Sequence, residues 1–265
     1  MTKTIIIAAA AVAALAGAAH ANSITNVALT GGAGSEMGVG QIYSALTGIS
    51  LANNAVNQVG AGSGSVGIGA GTIAGRVSDD RDMVWRDGSI DVGFAALYWG
   101  NSNTPDGNAN HTISVTQDNG AATTLFQAGP GHSAQRGEIF SSSVFPTTAD
   151  IRFSAHNHTS GVTASTDPLN NNGRDRVITF DITGLETLNV SALGFGGQNI
   201  DLTSLPALGA GKGTFLMFFE TGSDDDFQDI VILAHNIKNV PIVPAPSAAA
   251  LGLLGLGGIV ARRRR

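Results

Sequence analysis

The sequence contains no cysteine. Disulfides, thiol nucleophiles and thiolate metal sites are therefore excluded, and the fold must be held by core burial, by a bound metal, or by both. Charge is scarce too: 13% of the 265 residues are Asp, Glu, Lys or Arg, against roughly 25% in soluble globular domains. Positive charge is the scarcest. Of 14 Lys and Arg, Lys3 and Arg262 to Arg265 lie in the terminal segments, which leaves nine against 20 Asp and Glu and a net charge of −11 for the middle of the chain. Such a surface repels a phosphate backbone and attracts cations, so no nucleic-acid partner is expected. Catalytic signatures are missing as well. There is no G-x-S-x-G elbow, no H-E-x-x-H and no phosphate-binding loop, and an enzyme is not expected. The one G-x-G-x-x-G match, GSGSVG at 62–67, lies in a Gly- and Ser-rich run without a strand–turn–helix frame and reads as low complexity.

What is present begins at the ends. MTKTIIIAAAAVAALAGAAHA, residues 1–21, places Lys3 before an apolar run and puts Ala19 and Ala21 around His20. This is the pattern of a secretory signal cut by signal peptidase after Ala21. At the other end, VPAPSAAALGLLGLGGIVARRRR (243–265) joins a Pro motif, an apolar stretch and four arginines. The 14 residues from Ala248 to Ala261 would span about 21 Å as a helix, short of a hydrocarbon core near 30 Å. Four glycines and the upstream prolines weaken a helix further. Arginines at the end resist translocation and would stay cytoplasmic, so the segment would pause the protein in the membrane. In its three-part order the ending resembles the PEP-CTERM sorting signal: Val243, Pro244, Ala245, Pro246 and Ser247, then the apolar run, then Arg262, Arg263, Arg264 and Arg265. The resemblance covers about 23 residues, with V-P-A-P in place of the commonest V-P-E-P. It implies processing by an exosortase-type enzyme and delivery to the cell surface, outer membrane or exopolysaccharide matrix; a plain transmembrane anchor helix is the alternative.

Between the signals, residues 22–75 are rich in Gly, Ala and Asn and low in charge, which reads as flexible linker or irregular edge strands. MGVGQIYSALTG at 37–48 is the exception, a candidate short helix. From Arg76 to about residue 240, short β-rich runs alternate with Gly, Asn, Asp, Pro and Ser clusters. Two strands are expected around Asp87-Gly88, and another pair around Asn119-Gly120 in which Ile113 and Val115 share a face. DIRFSAHNHTSG, DRVITFDITG, GTFLMFFE and DFQDIVILAHNI continue the series. The spacing predicts a mainly β fold, a jelly-roll-like antiparallel β-sandwich, with an N-terminal signal helix and a short C-terminal hydrophobic helix.

The sharpest internal motif is FFETGSDDDFQDIVI, 218–232. Here, and upstream to residue 167, the chain resembles a β-sandwich module of bacterial surface proteins that ends in a D-x-D-[FY]-N-D-like motif; Thr221 stands where that module usually has Asp, and Gln228 where it has Asn. Carboxylates this crowded repel unless solvated or bridged, and Ca²⁺ is one bridge. Glu220, Asp224, Asp226 and Asp229 are the candidate ligands. The alternative is a solvated acidic turn in which Asp229 ties down backbone N–H groups. His156 and His158 share a strand face at a spacing suited to two metal ligands, or are a pair of surface histidines. Trp85, Tyr98 and Trp99 could stack on sugars, or lie in the core or at a sheet edge. The expected role is structural or adhesive at the cell surface, in contact with exopolysaccharide; a surface carbohydrate-binding module is the alternative.

Overall fold

The computed structural model describes residues 37–51, 66–67, 75–77, 83–87, 92–100, 110–118, 120–132, 134–142, 150–172, 174–222 and 227–240. The two terminal segments expected as signals, with Ala19, Ala21, Val243 to Ser247 and Arg262 to Arg265, lie outside them, as do Asp224 and Asp226. Among the described residues no helix is long and apolar enough to cross a membrane.

The elements follow the chain as helix α1 (Val39–Thr47), then β1 (Val66–Gly67), β2 (Gly75–Arg76), β3 (Trp85–Asp87), β4 (Val92–Trp99), β5 (His111–Gln117), β6 (Ala122–Ala128), β7 (Phe140–Ser142) and β8 (Asp150–Asn157). They continue as β9 (Thr163–Ser165), β10 (Val177–Asp181), β11 (Thr187–Leu188), β12 (Ile200–Asp201), β13 (Gly213–Phe219) and β14 (Ile230–Asn239). Every described ladder is antiparallel, and the fold is a mainly β, sandwich-like one. One group of strands runs β2-β10-β13-β14-β4-β7; a second runs β3-β8-β5-β6, with β9 beside β8.

Strand β14 joins the groups. One edge pairs with β13 from Ile230 to Ile237; the other pairs with β4 from Ile230 to His235 and with β3 from Ile237 to Asn239. Asn236, between the two stretches, is skipped by the register and sits at φ 64°. Asn tolerates the left-handed region better than most residues because its short side chain can hydrogen-bond locally, and such a bulge bends and twists a strand. The strands expected around Asp87-Gly88 both form. They do not pair with each other, however, because ten-residue β14 is long enough to hold both end to end. The pair around Asn119-Gly120 is a true hairpin, β5 with β6.

Burial patterns separate the groups. Strands β5 and β8 alternate, with Ile113, Val115, Ile151, Phe153 and Ala155 buried and their neighbours half-buried. One face of this sheet meets the core and the other meets water. In β4 and β13 every residue is buried, so the first group must be covered on both sides. Its inner face, with Phe94, Phe215, Met217, Phe219 and Ile232, packs against the second group around Trp85 and Phe153. Its outer face, with Leu97, Phe180, Phe218 and Leu233, is covered by α1 and by the 182–205 segment.

Helix α1 lies within MGVGQIYSALTG, where a short helix is expected. Val39, Ile42, Tyr43 and Leu46 follow helical spacing and are fully buried. The Gln41 side chain accepts the Gly38 N–H at its start, and Gly48 at φ 72° closes its end, where a left-handed residue lets the chain turn away. The Tyr43 ring centroid lies 4.8 Å from that of Phe180. Burial pushes the Tyr43 phenol far above its ordinary range, keeping it neutral. Strands β1 and β2 extend the sheet beyond β10, as the irregular edge-strand reading expects.

His235 ties the bulge to a loop. Its Nε2 is 2.9 Å from the Pro206 carbonyl oxygen, which can only accept, so Nε2 carries the proton and Nδ1 accepts from the Thr214 hydroxyl at 2.8 Å. Asn236 Oδ1 accepts the Gly209 N–H at 2.8 Å beside it. Burial lowers the His235 pKa below its ordinary 6.5, against an opposing contribution from the Pro206 carbonyl. An unfolded chain therefore binds a proton near that pH while the folded chain does not. The histidine's contribution to stability is complete above the unfolded pKa and declines as pH falls toward the folded one. Urea unfolding at about pH 7.5 and about pH 5.5 should show a loss in acid that is smaller in His235→Gln. An equal loss in both proteins would remove His235 as its source.

Candidate functional site

Residues 220–229 join β13 to β14. Glu220 is fully buried. Its Oε1 accepts the Gly222 N–H at 2.7 Å and its Oε2 the Phe227 N–H at 3.1 Å. Phe227, at φ 58°, turns the chain back and buries its ring against the outer-face core. Asp229 Oδ2 accepts the Thr221 N–H at 2.6 Å, and Arg176 Nη1 donates to the carbonyls of Glu220 and Gly222 at 3.2 and 3.0 Å. Glu220 and Asp229 thus serve as acceptors for the backbone N–H groups of Thr221, Gly222 and Phe227. Of the four residues offered for calcium, these two hold the turn itself.

Thr221 fastens the turn to the opposite sheet. Its hydroxyl lies 3.1 Å from His111 Nε2 and accepts from Asn157 Nδ2 at 3.3 Å, while its carbonyl accepts from the Ser160 hydroxyl at 2.9 Å. His111 begins β5 and Asn157 ends β8. The position where the resembling module has Asp therefore carries a hydroxyl shared between two layers.

The three aromatic residues offered as a sugar-stacking patch do not form one. Trp85 and Tyr98 have no exposed surface and Trp99 has 7%. Strand alternation sends Tyr98 and Trp99 to opposite faces, Tyr98 to the α1 side and Trp99, with Trp85, to the inter-sheet core. Only the rim of Trp99 reaches a cleft.

That cleft, of about 260 Å³, is lined by Trp99, Gly129, His132, Ala134, Gln135, Arg136, Phe195 and Gly197. The Arg136 guanidinium lies 3.9 Å above the Trp99 ring centroid and 5.4 Å from that of Phe195, and it donates to the Phe195 carbonyl at 3.0 Å. Flat stacking of a guanidinium on an indole is favourable and holds both planes rigid. A second cleft of about 330 Å³ is lined by Gly137, Ile139, Gln198, Asn199, Ile200, Asp201, Ser204 and Leu205. The Asp201 carboxyl is held below its usual range by hydrogen bonds from the Thr203 hydroxyl and N–H.

A crossing of two loops separates the clefts. Gln198 N–H donates to the Arg136 carbonyl at 3.0 Å, and Gly137 N–H to the Ala96 carbonyl of β4 at 2.8 Å. Gly137 and Gly197 are both left-handed; a Cβ on Gly137 would collide with the Gln198 carbonyl, and one on Gly197 with Arg136. Sequence reasoning missed Arg136 and Phe195. The available signal was the glycine richness of AGPGHSAQRG and GFGG around two isolated large side chains.

Glu220→Gln would place an amide N–H against a backbone N–H and should cost roughly 1–3 kcal/mol. Urea midpoints measured in EDTA and in about millimolar Ca²⁺ separate the two readings of the turn. A cost unchanged by calcium fits carboxylates that serve the backbone. A cost present only with calcium makes Glu220 a ligand.

No family model matches the chain, and no curated protein is found similar to it. Two solved structures are similar over part of it. The C-terminal domain of the BC2L-C lectin from Burkholderia cenocepacia is 15% identical over 62% of this chain and 98% of that domain, with a TM-score of 0.30. The high-affinity mannose-binding lectin of Ralstonia solanacearum is 14% identical over 62% of this chain and 99% of that one, with a TM-score of 0.29.

Proposed function

We propose that the chain is an exported surface protein with an adhesive, non-catalytic role, and that it adheres by binding a hydroxyl-rich glycan of the surrounding matrix. The observation that carries the binding reading is the pair of clefts on either side of the Arg136-Gly137 and Gly197-Gln198 crossing. Each has the volume for a small ring rather than a large ligand. The groups around them are those that recognise hydroxyls: the amides of Gln135, Gln198 and Asn199, the Asp201 carboxylate as acceptor, and the apolar surface of Phe195 and the Trp99 rim. A linear polysaccharide that presents successive sugars is the ligand such neighbouring shallow sites suit.

Export and sorting are the other half of the proposal. The 1–21 signal would deliver the chain across the membrane, and 243–265 would hold it there until an exosortase-type enzyme acts. Mass spectrometry of the secreted form tests this directly: a mature protein without Arg262 to Arg265 is expected, and an intact tail would overturn the processing.

A glycan array of neutral bacterial polysaccharides tests the binding. Gln135→Ala and Gln198→Ala change exposed side chains on opposite sides of the crossing and leave the core untouched. Each should weaken binding by about 1 kcal/mol, roughly fivefold in Kd. Binding that both variants leave unchanged, or no binding by the wild type, sinks the assignment to these clefts.

A further inference from the structure

On the solvent face of the second sheet, His156 and His158 bring their ring centroids within 4.7 Å at an interplanar angle of 89°. Strand periodicity puts both on one face, with Asn157 turned inward between them. Each ring has one nitrogen held by a threonine. His156 Nδ1 is 2.9 Å from the Thr163 hydroxyl, and His158 Nε2 is 2.8 Å from the Thr112 hydroxyl. Both threonines are cross-strand neighbours placed by the register, since His156 is opposite Thr112 on β5 and opposite Thr163 on β9.

The supports are themselves fixed. Gln127 Nε2 donates to the Thr112 hydroxyl at 3.2 Å. His158 N–H donates to the Asn110 carbonyl at 2.9 Å, and Asn157 Oδ1 accepts the Thr159 and Ser160 N–H groups at 2.8 and 3.2 Å. The turn that carries His158 is therefore pinned on both sides.

We propose that His156 Nε2 and His158 Nδ1 together bind a divalent transition-metal ion, Cu²⁺ in preference to Zn²⁺. A nitrogen–metal bond of about 2.0–2.1 Å, with each ring centroid roughly 1.2 Å behind its nitrogen, puts the centroids about 4.5–5.4 Å apart for angles of about 90–110° at the metal. The observed 4.7 Å falls inside that interval. A threonine hydroxyl both donates and accepts, so each can take the N–H of its ring, and in that tautomer the other nitrogen keeps its lone pair for a metal. This is the outer-shell arrangement that orients metal-bound imidazoles. Among the described residues no group of three His, Cys, Asp or Glu is present, so water completes the coordination and the ion is exchangeable. Imidazole ligands and an open geometry favour Cu²⁺ by the ordinary affinity order of divalent ions.

Titration of the full chain with Cu²⁺, followed by calorimetry and electron paramagnetic resonance, tests the site. The wild type should bind one equivalent with hyperfine coupling from two imidazole nitrogens. His156→Ala and His158→Ala should each abolish that signal, with unchanged circular dichroism showing that the fold is intact. Thr163→Val keeps both ligands and should weaken binding by roughly 10-fold or more through loss of ring orientation. Equal Cu²⁺ affinity in the wild type and the His156→Ala/His158→Ala double variant would overturn the site, as would a spectrum with a single imidazole nitrogen.

Discussion

The fold depends on β14 satisfying three partners. Its ten residues pair with β13 along one edge and with β4 and then β3 along the other, and the change of partner falls at the left-handed Asn236. A regular strand would keep one neighbour and leave β3 paired with β8 alone. By breaking the register once, the chain carries hydrogen bonding from one layer into the next, so a single residue's backbone angle underlies the connection between two sheets. The loop at 206–209 secures that angle through the side chains of His235 and Asn236.

Covering the central strands on both faces is the second requirement, and it explains an otherwise odd segment. A sheet made of GTFLMFF and VILA has no polar face to offer water. Helix α1 and the short elements between 182 and 205 supply the missing layer, which includes the hydrogen bond from Asn189 N–H to the Leu46 carbonyl. The glycine-rich stretch around α1 carries, in QIYSAL, the apolar stripe that the outer face lacks.

Much of this was legible in the sequence. Alternation in HTISV and DIRFSAHN predicts one-sided burial, and those strands have it. The unbroken apolar runs of β4 and β13 predict strands but leave open what covers them, because periodicity in one segment says nothing of a layer contributed by another. For the same reason the aromatics alone leave Trp85, Tyr98 and Trp99 open between a sugar-stacking patch and the core; they lie in the core, with Tyr98 and Trp99 on opposite faces of β4. The acidic motif shows a related difficulty. Clustered carboxylates suggest an ion, yet Glu220 and Asp229 answer a local shortage of backbone acceptors that appears only once the turn is closed. The clefts were the least legible part, since they arise where two loops some 60 residues apart meet.

The crossing of those loops has a mechanical consequence. Two left-handed glycines let the loops approach at backbone distance, so the wall between the clefts is backbone packed on Val190 and Arg136. A ligand settling into either side has little loop motion to arrest, and the entropic penalty that usually weakens loop-built sites is largely met during folding. For the proposed repeating polymer, a fixed crossing would set the stride: clefts at a constant spacing would let a chain of matching period engage both as one event rather than two.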